Sequence, residues 1–261
     1  MDLGIAGRCA VVLAGGGGLG SASALALGSE GVRVAVADIS QDRAEHSVLR
    51  VLEAGGRAKA YHCNIGDEAS IESLYARVSD DFGSPDILVN ITGGPPTYRA
   101  SDVPFDAWEQ EFKKMVLGVI RLTTLALPAM RHSQWGRVIT STSSGVLAPI
   151  PGLVLSNALR LALVGWSKSL AGEVGHDGVT ANVIVPGRIA TERVQQLDNE
   201  RSAREGVAVE AVRAGSWATI PVGRYGTPEE FGSVVAFLAS SAASYVTGSV
   251  LRVDGGLVSS I

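Results

Sequence analysis

The chain has 261 residues, of which 32 are glycine and 10 are proline, and this composition excludes several classes of protein. Charged residues make up 18% and apolar residues 46%, which is too apolar for a disordered chain, and the glycines have no period of three, which excludes collagen. The net charge of -4 offers no basic surface for nucleic acid. No apolar run reaches the roughly 18 residues that span a membrane. We therefore expect neither a nucleic-acid partner nor a membrane.

Cysteine and histidine usage adds two expectations. Cys9 and Cys63 lie in separate strand-like runs and are interpreted as small buried apolar residues, since two cysteines do not make a disulfide framework. The acidic start of the chain lacks the basic and then apolar layout of a signal peptide. We therefore expect a cytoplasmic protein. The four histidines have no spacing typical of a metal site, and no metal is expected.

Strand-like and helix-like segments alternate along the chain. Short apolar runs bounded by turn residues predict buried strands, at 8–13, 32–37, 58–63, 86–90, 136–141, 180–185 and 249–253. Longer segments rich in helix-forming residues predict helices, at 19–29, 40–53, 67–82, 105–131, 153–174 and 229–240.

This alternation predicts the fold. Helices between apolar strands indicate right-handed crossovers and a mostly parallel sheet. We therefore predict one α/β domain over residues 1–261, a doubly wound sheet of the Rossmann type. Residues 188–220 are polar and charged with helical patches. Such an excursion from a sheet often covers an active site, and we predict that this segment is a substrate lid.

A glycine cluster at residues 14–20 joins the first strand to the first helix. Glycine there lets the backbone approach a diphosphate, and the helix amino terminus supplies free N–H groups and a positive dipole end. The strand before it and the helix after it are the context that a dinucleotide site requires. We predict that the contacts come from Gly15, Gly18, Leu19 and Gly20.

Asp38 ends the second predicted strand, eighteen residues after Gly20. In this fold, a carboxylate at that place accepts hydrogen bonds from the adenosine ribose hydroxyls. It repels a 2′-phosphate, and the glycine loop contains no Arg or Lys. The sequence therefore predicts NAD (NADH) as cofactor, with NADP less favoured.

These features resemble the short-chain dehydrogenase/reductase (SDR) family over essentially the whole chain. Residues 13–20 align with the family's TGxxxGxG loop, with Leu13 and Ala14 in place of its Thr and first Gly. Residues 90–93 keep the first and last letters of NNAG, and residues 223–230 read Gly-Arg-x-Gly-x-Pro-Glu-Glu. The resemblance implies further cofactor-binding residues, namely Asn64, Ile65, Asn90, Gly93, Pro186, Gly187, Ile189 and Thr191.

The catalytic positions differ from the family pattern. The family uses a Ser, and a Tyr and Lys spaced as YxxxK on one helix. Ser143 matches the Ser, but Ser156 stands where Tyr is expected and Arg160 where Lys is expected. Met115 aligns with an Asn that supports proton relay. The chain thus resembles a divergent branch, near the 3-oxoacyl-carrier-protein reductases, that lacks the YxxxK pair and has a Gly-Gly-Pro-Pro turn at 93–96.

These substitutions change the chemistry that the site can perform. A serine hydroxyl is a far weaker acid than a phenol of pKa about 10, and arginine stays protonated at neutral pH. Losing a general acid costs ~10²–10⁴-fold in rate. Arg160 also has the hydrogen-bonding groups to hold the ribose of the cofactor. Two other residues are candidates for the missing functions, Tyr98 as proton donor and Arg188 as anion ligand.

Three functions follow from this pattern. The first is an NAD(H)-dependent oxidoreductase acting on a carbonyl or secondary alcohol, with Ser143 orienting the substrate oxygen, Ser156 and a water carrying the proton, and Arg160 anchoring the ribose. The second is a non-redox lyase or isomerase on the same scaffold. The third is a non-catalytic NAD(H)-binding homologue. The resemblance also implies a homo-oligomer, a dimer or tetramer, paired through the helices at 105–131 and 153–174 and through the last strand.

Overall fold

We analysed a computed structural model of the chain, which describes residues 2–260. One sheet of seven parallel strands runs through the molecule. The strands are β1 (Cys9–Leu13), β2 (Arg33–Asp38), β3 (Arg57–His62), β4 (Ile87–Asn90), β5 (Gly136–Ser141), β6 (Val179–Pro186) and β7 (Val250–Val253). All seven predicted strands are thus present, each within two residues of its predicted start.

Nine α-helices in the described residues cover the sheet and its carboxyl edge. They are α1 (Gly18–Ser29), α2 (Gln41–Glu53), α3 (Glu68–Phe82), α4 (Phe105–Phe112), α5 (Gly118–His132), α6 (Val154–Val174), α7 (Glu192–Glu205), α8 (Val209–Ala218) and α9 (Pro228–Ala239). No helix within residues 2–260 combines the length and the apolar character needed to cross a membrane.

The strand order is β3-β2-β1-β4-β5-β6-β7. β1 lies between β2 and β4, so that Val11 is in register with Ala35 on one side and Leu88 on the other. The chain therefore reverses its winding direction beside β1. In open α/β sheets, ligands bind outside the carboxyl ends of the strands at this reversal.

The core lies on both faces of the sheet. Every residue of β1 is buried, and its side chains alternate between the two faces. Ala10 and Val12 pack in one core cluster, with residues of α1, α2 and α9. Cys9, Val11 and Leu13 pack in the other, with residues of α3, α5 and α6. This two-sided burial explains why central strands such as β1 and β4 are nearly continuous apolar runs and why charged residues are few.

Two predicted segments have more internal structure than the sequence indicated. The predicted helix at 105–131 is interrupted by a π-helical turn at Lys113–Leu117, which separates α4 from α5. The segment is helical throughout, as predicted, but the sequence did not indicate the π turn, because a π turn inserts an extra residue without interrupting helical composition. The segment 188–220 contains two ordered helices, α7 and α8.

Candidate active site

A cavity of about 720 Å³ lies at the carboxyl ends of β1, β2, β4, β5 and β6. The amino-terminal half of α7 closes one side of it. Most of the residues that we predicted for the site line this cavity, namely Gly18, Leu19, Gly20, Asp38, Asn64, Ile65, Gly93, Ser143, Ser156, Arg160, Pro186, Gly187, Ile189 and Thr191.

Gly15 and Asn90 lie behind the cavity wall and do not line it. The N–H of Gly15 donates to the Ala37 carbonyl at 2.9 Å, and a methyl at Gly15 would lie 2.6 Å from Val36 Cγ1. Asn90 is fully buried, and its Nδ2 donates to the hydroxyls of Thr123 and Thr140 at 3.4 Å each. Their positions give both residues a supporting role: Gly15 brings the loop onto β2, and Asn90 fixes the end of β4.

The glycine loop forms a close-packed turn into α1. Gly20 lies so near the backbone of Ala14 that a Cβ there would overlap the Ala14 carbonyl oxygen. The helix has no side-chain cap and no acidic residue in its first turn. The first amides of a helix have no partner within the helix, so those of Gly18 and Leu19 remain available at the cavity. This cradle, with its positive helix dipole end, fits a diphosphate.

Asp38 lies at the mouth of the cavity, where two backbone amides fix its carboxylate. Its Oδ2 accepts from the N–H of Gly16 at 2.9 Å and its Oδ1 from the N–H of Ser40 at 3.0 Å. Sequence reasoning missed a basic residue at the same place. Arg43 of α2 donates to the Gly16 carbonyl at 3.4 Å and pairs with Glu192 of α7 at 2.7 Å. A carboxylate and a guanidinium therefore both bond to the backbone of Gly16, where an adenosine ribose would bind.

Arg160 is the most enclosed charged group of the cavity, with 6% of its surface exposed. Its Nε donates to Ser156 Oγ at 3.2 Å, its Nη1 to the Ser141 carbonyl at 3.3 Å, and its Nη2 to the carbonyls of Thr92 and Gly93 at 3.4 and 3.1 Å. Burial, together with the nearby charge of Arg193, lowers the pKa of Arg160 to about 10. The guanidinium therefore remains charged at neutral pH, in a wall made of carbonyl oxygens.

The two candidate serines have similar hydrogen-bonding arrangements. Ser143 Oγ accepts from the N–H of Gly145 at 3.2 Å, as Ser156 Oγ accepts from Arg160. Each hydroxyl thus receives a hydrogen bond from the protein and keeps its own hydrogen to donate to a ligand. Asn157 braces the loop between them, because its side chain exchanges two hydrogen bonds with the backbone of Ile150, at 3.3 and 3.0 Å.

The other candidates have different surroundings. Tyr98 does not line the cavity and packs against the cluster around Met115 and Leu155, so its position does not support a role as proton donor. Arg188 lines the cavity, but its guanidinium pairs with buried Asp198 at 2.7 Å. We therefore interpret Arg188 as one partner of a structural ion pair and no longer as a ligand for an anion.

Sequence reasoning also missed Thr92 and Arg193. Thr92 lines the cavity, and its buried Oγ1 has no hydrogen-bond partner among the described residues. Arg193, on the first turn of α7, donates to the Pro95 carbonyl at 3.0 Å. Neither residue belongs to a motif. The only available signal was the position of Thr92 inside the Asn-Ile-Thr-Gly stretch at residues 90–93.

This fold and this cavity define a doubly wound dinucleotide-binding protein. A family model described as enoyl-(acyl carrier protein) reductase matches residues 13–258. The chain belongs to this family, within the short-chain dehydrogenases/reductases, and it is an oxidoreductase of that family by homology.

Curated relatives are similar over nearly their whole length. A 3-oxoacyl-[acyl-carrier-protein] reductase of Salmonella typhimurium is 35% identical, over 96% of this chain and 97% of the relative. A D-beta-hydroxybutyrate dehydrogenase of Cupriavidus necator is 32% identical, over 97% of this chain and 98% of the relative.

Solved structures confirm the fold. L-sorbose reductase from Gluconobacter frateurii, in complex with NADPH and L-sorbose, superposes with a TM-score of 0.94 at 27% identity, over 100% of both chains. The actinorhodin polyketide ketoreductase with NADPH superposes with a TM-score of 0.92 at 29% identity, over 96% of this chain and 97% of the other.

Proposed function

We propose that the protein transfers a hydride between a nicotinamide dinucleotide and a carbonyl or secondary alcohol, in a divergent SDR site without the YxxxK pair. The observation that carries this proposal is the 3.2 Å hydrogen bond from Arg160 Nε to Ser156 Oγ in the cavity wall. A cationic donor on the oxygen makes the Ser156 hydroxyl a stronger hydrogen-bond donor in turn. Ser156 can then donate toward a substrate oxygen.

The remaining roles follow from the surroundings of each residue. A bound nicotinamide would supply or accept the hydride. Ser143, with its hydrogen free, orients the substrate oxygen, and Arg160 adds positive charge that stabilises negative charge on that oxygen. Protons reach Ser156 through water, because none of the described groups bonded to it is an acid that titrates near neutral pH. Nη1 of Arg160 carries two N–H donors, and one of them donates to the Ser141 carbonyl. If Arg160 anchors the ribose, it would do so with the other Nη1 donor.

The experiment that tests this function measures nicotinamide oxidation with ketones and 3-oxoacyl thioesters. We expect Ser156→Ala to lower kcat/KM by about 10²-fold while nucleotide binding is unchanged, and Ser156→Thr to retain part of the activity. The control is Ser169→Ala, on an exposed face of the same helix. If Ser156→Ala kept full activity, the proton path would be wrong.

The same assay separates the alternatives. A non-catalytic homologue binds nucleotide but transfers no hydride, and gains activity only in a Ser156→Tyr, Arg160→Lys double variant. A lyase or isomerase turns over substrate with no change in nicotinamide absorbance. No specific contact in the cavity favours either of them over the oxidoreductase.

We propose NAD(H) as the cofactor because the Asp38 carboxylate, fixed by two amides, disfavours a 2′-phosphate, while Arg43 is engaged by Glu192. The L-sorbose reductase and the polyketide ketoreductase were both solved with NADPH, and a comparison of the two nucleotides decides which of them this chain prefers. We expect NADH to bind at least about tenfold more tightly than NADPH in a fluorescence titration, since one like-charge contact is worth over 1 kcal/mol in a partly enclosed site. Asp38→Asn should reduce that ratio. Tighter binding of NADPH would overturn the assignment.

We also propose that residues 188–220 form a substrate lid. α7 reaches the glycine loop, where a methyl at Gly18 would lie 2.8 Å from Thr191 Cγ2, and the Arg43–Glu192 pair joins it to α2. We expect nucleotide to slow amide hydrogen exchange in α7 and α8. Unchanged exchange in both helices would contradict a lid. We also propose, as the sequence predicts, that the protein is cytoplasmic.

A further inference from the structure

Two arginine side chains in the cavity have no acidic partner. Five basic side chains line it, and three of these are held by carboxylates, in the pairs Arg43–Glu192, Lys114–Glu111 and Arg188–Asp198. The other two are Arg160 and Arg193. In residues 2–260 their hydrogen bonds go only to carbonyl, hydroxyl and amide oxygens. Two positive charges in one partly enclosed site therefore have no ion-pair partner among the described residues.

Both guanidinium groups approach the same three-residue turn, Gly93-Gly94-Pro95. Arg160, from α6, donates to the Gly93 carbonyl at 3.1 Å. Arg193, from α7, donates to the Pro95 carbonyl at 3.0 Å, and a methyl at Gly94 would lie 2.6 Å from its Nε. Like charges brought together around one turn repel each other, and an anion between them would relieve that repulsion.

A third observation points to a ligand at this place. Thr92 precedes the turn, lines the cavity and is 7% exposed, and its Oγ1 has no hydrogen-bond partner among the described residues. A buried hydroxyl without a partner in a native site needs an explanation. A ligand atom that accepts its hydrogen supplies one, and carboxylate oxygens are strong acceptors.

We propose that Arg193 binds a carboxylate carried by the substrate, with the positive charge of Arg160 behind it, so that the protein acts on oxo acids or hydroxy acids and discriminates against neutral ketones. This inference rests on the proposed function, since it names the substrate class for the same cavity. Arg193 makes the direct contact, because a planar guanidinium suits a carboxylate. Arg160 has most of its donors on carbonyl oxygens and supplies positive charge behind it.

The binding experiment uses the protein saturated with NAD⁺, which cannot donate a hydride, or the protein without nucleotide if NAD⁺ does not bind. It is titrated calorimetrically with 2-oxobutanoate, 3-oxobutanoate and 4-oxopentanoate, and with the methyl ester of each. We expect at least one acid to bind about tenfold to a hundredfold more tightly than its ester, as a charged hydrogen bond requires.

The variants locate the effect. Arg193→Gln should remove the preference for the acid, and Arg193→Lys should keep part of it. Arg201→Gln is the matched control, since Arg201 lies on the same helix, pairs with Glu205 and does not line the cavity. Equal binding of acid and ester, no binding of either, or an acid preference that survives Arg193→Gln would each overturn the proposal.

The readouts keep the two proposals apart. Arg193-dependent binding of an acid, with no hydride transfer to any substrate, would refute the proposed function and leave the carboxylate site in place. Turnover of neutral ketones with no preference for acids would support the oxidoreductase and refute the carboxylate site.

Discussion

At the residue scale, two of the positions at which the candidate site differs from the family pattern, Ser156 and Arg160, lie one helical turn apart on α6. A spacing of four on a helix brings Ser156 and Arg160 to the same face, and their side chains are joined by a hydrogen bond of 3.2 Å. This contact was predictable from the spacing. The other acceptors of Arg160, the carbonyls of Ser141, Thr92 and Gly93, were not, since they come from the ends of two different strands.

Ala14 provides a prediction about backbone strain. Its φ is +48°, in the left-handed region where a Cβ costs roughly 1–2 kcal/mol, and the family motif has glycine at this place. We expect Ala14→Gly to raise the free energy of unfolding by about 0.5–1 kcal/mol, after the greater chain entropy of glycine is subtracted. Urea unfolding measures this change.

The matched control is Ala54→Gly. Ala54 caps α2 with an ordinary φ of -80°, so its replacement relieves no strain and should lower the free energy of unfolding by a few tenths of a kcal/mol to about 1 kcal/mol. A loss of stability in Ala14→Gly as large as in the control would show that Ala14 is not strained.

At the element scale, the π turn between α4 and α5 is followed by a glycine that packs against the loop after β3, which lines the cavity. Gly118 begins α5, and a Cβ there would overlap the carbonyl oxygen of Ile65. Ile65 and its neighbour Asn64 line the cavity, and Asn64 Oδ1 accepts from the N–H of Gly66 at 3.0 Å. The helix therefore supports the loop that follows β3.

This contact predicts the effect of Gly118→Ala. The added methyl must displace either the loop or the helix, and overpacking of this kind costs about 1–3 kcal/mol. We expect lower stability in thermal unfolding together with weaker nucleotide binding. Gly172→Ala is the control, since nothing lies within 4 Å of a Cβ at that position in α6, and alanine should stabilise the helix. Equal effects of the two substitutions would contradict the close approach of Gly118.

The type of an element was predictable where its apolar periodicity agrees with glycine or other turn residues at its ends. β1 is an apolar run followed by glycines, and its burial on both faces accounts for that pattern. The π turn at Lys113–Leu117 was not predictable, because its residues continue a helical composition. Residues 188–220 indicated only helical patches, since α7 buries a single residue, Asp198, and has little apolar periodicity.

At the scale of the whole molecule, apolar side chains remain exposed on the helices for which we propose subunit pairing. Phe112 on α4, Leu117 on the π turn and Leu161 on α6 are exposed. We propose that they belong to an interaction surface, which exposed apolar patches mark. We expect light scattering to give two or four times the 27.0 kDa mass of one chain.

A charge at this surface tests the pairing. Leu161→Glu should shift the assembly toward smaller species, since a carboxylate buried in an apolar interface is strongly unfavourable. Leu49 is exposed on α2, outside the proposed surface. The Leu49→Glu substitution should therefore leave the mass of the assembly unchanged. A mass equal to one chain for the natural protein would rule the proposed homo-oligomer out.

The sequence by itself determined the sheet, its two-sided burial and the position of the nucleotide loop, because apolar periodicity and glycine punctuation are local properties of a chain. It also placed Ser156 beside Arg160. Only the tertiary structure decided that Arg188 forms an ion pair with Asp198 and that Arg43 and Asp38 both bond to the backbone of Gly16. It also decided that Arg193 and Arg160 donate to carbonyl groups of the same turn at residues 93–95. These contacts link residues far apart in the chain, whose meeting depends on how the helices pack over the sheet.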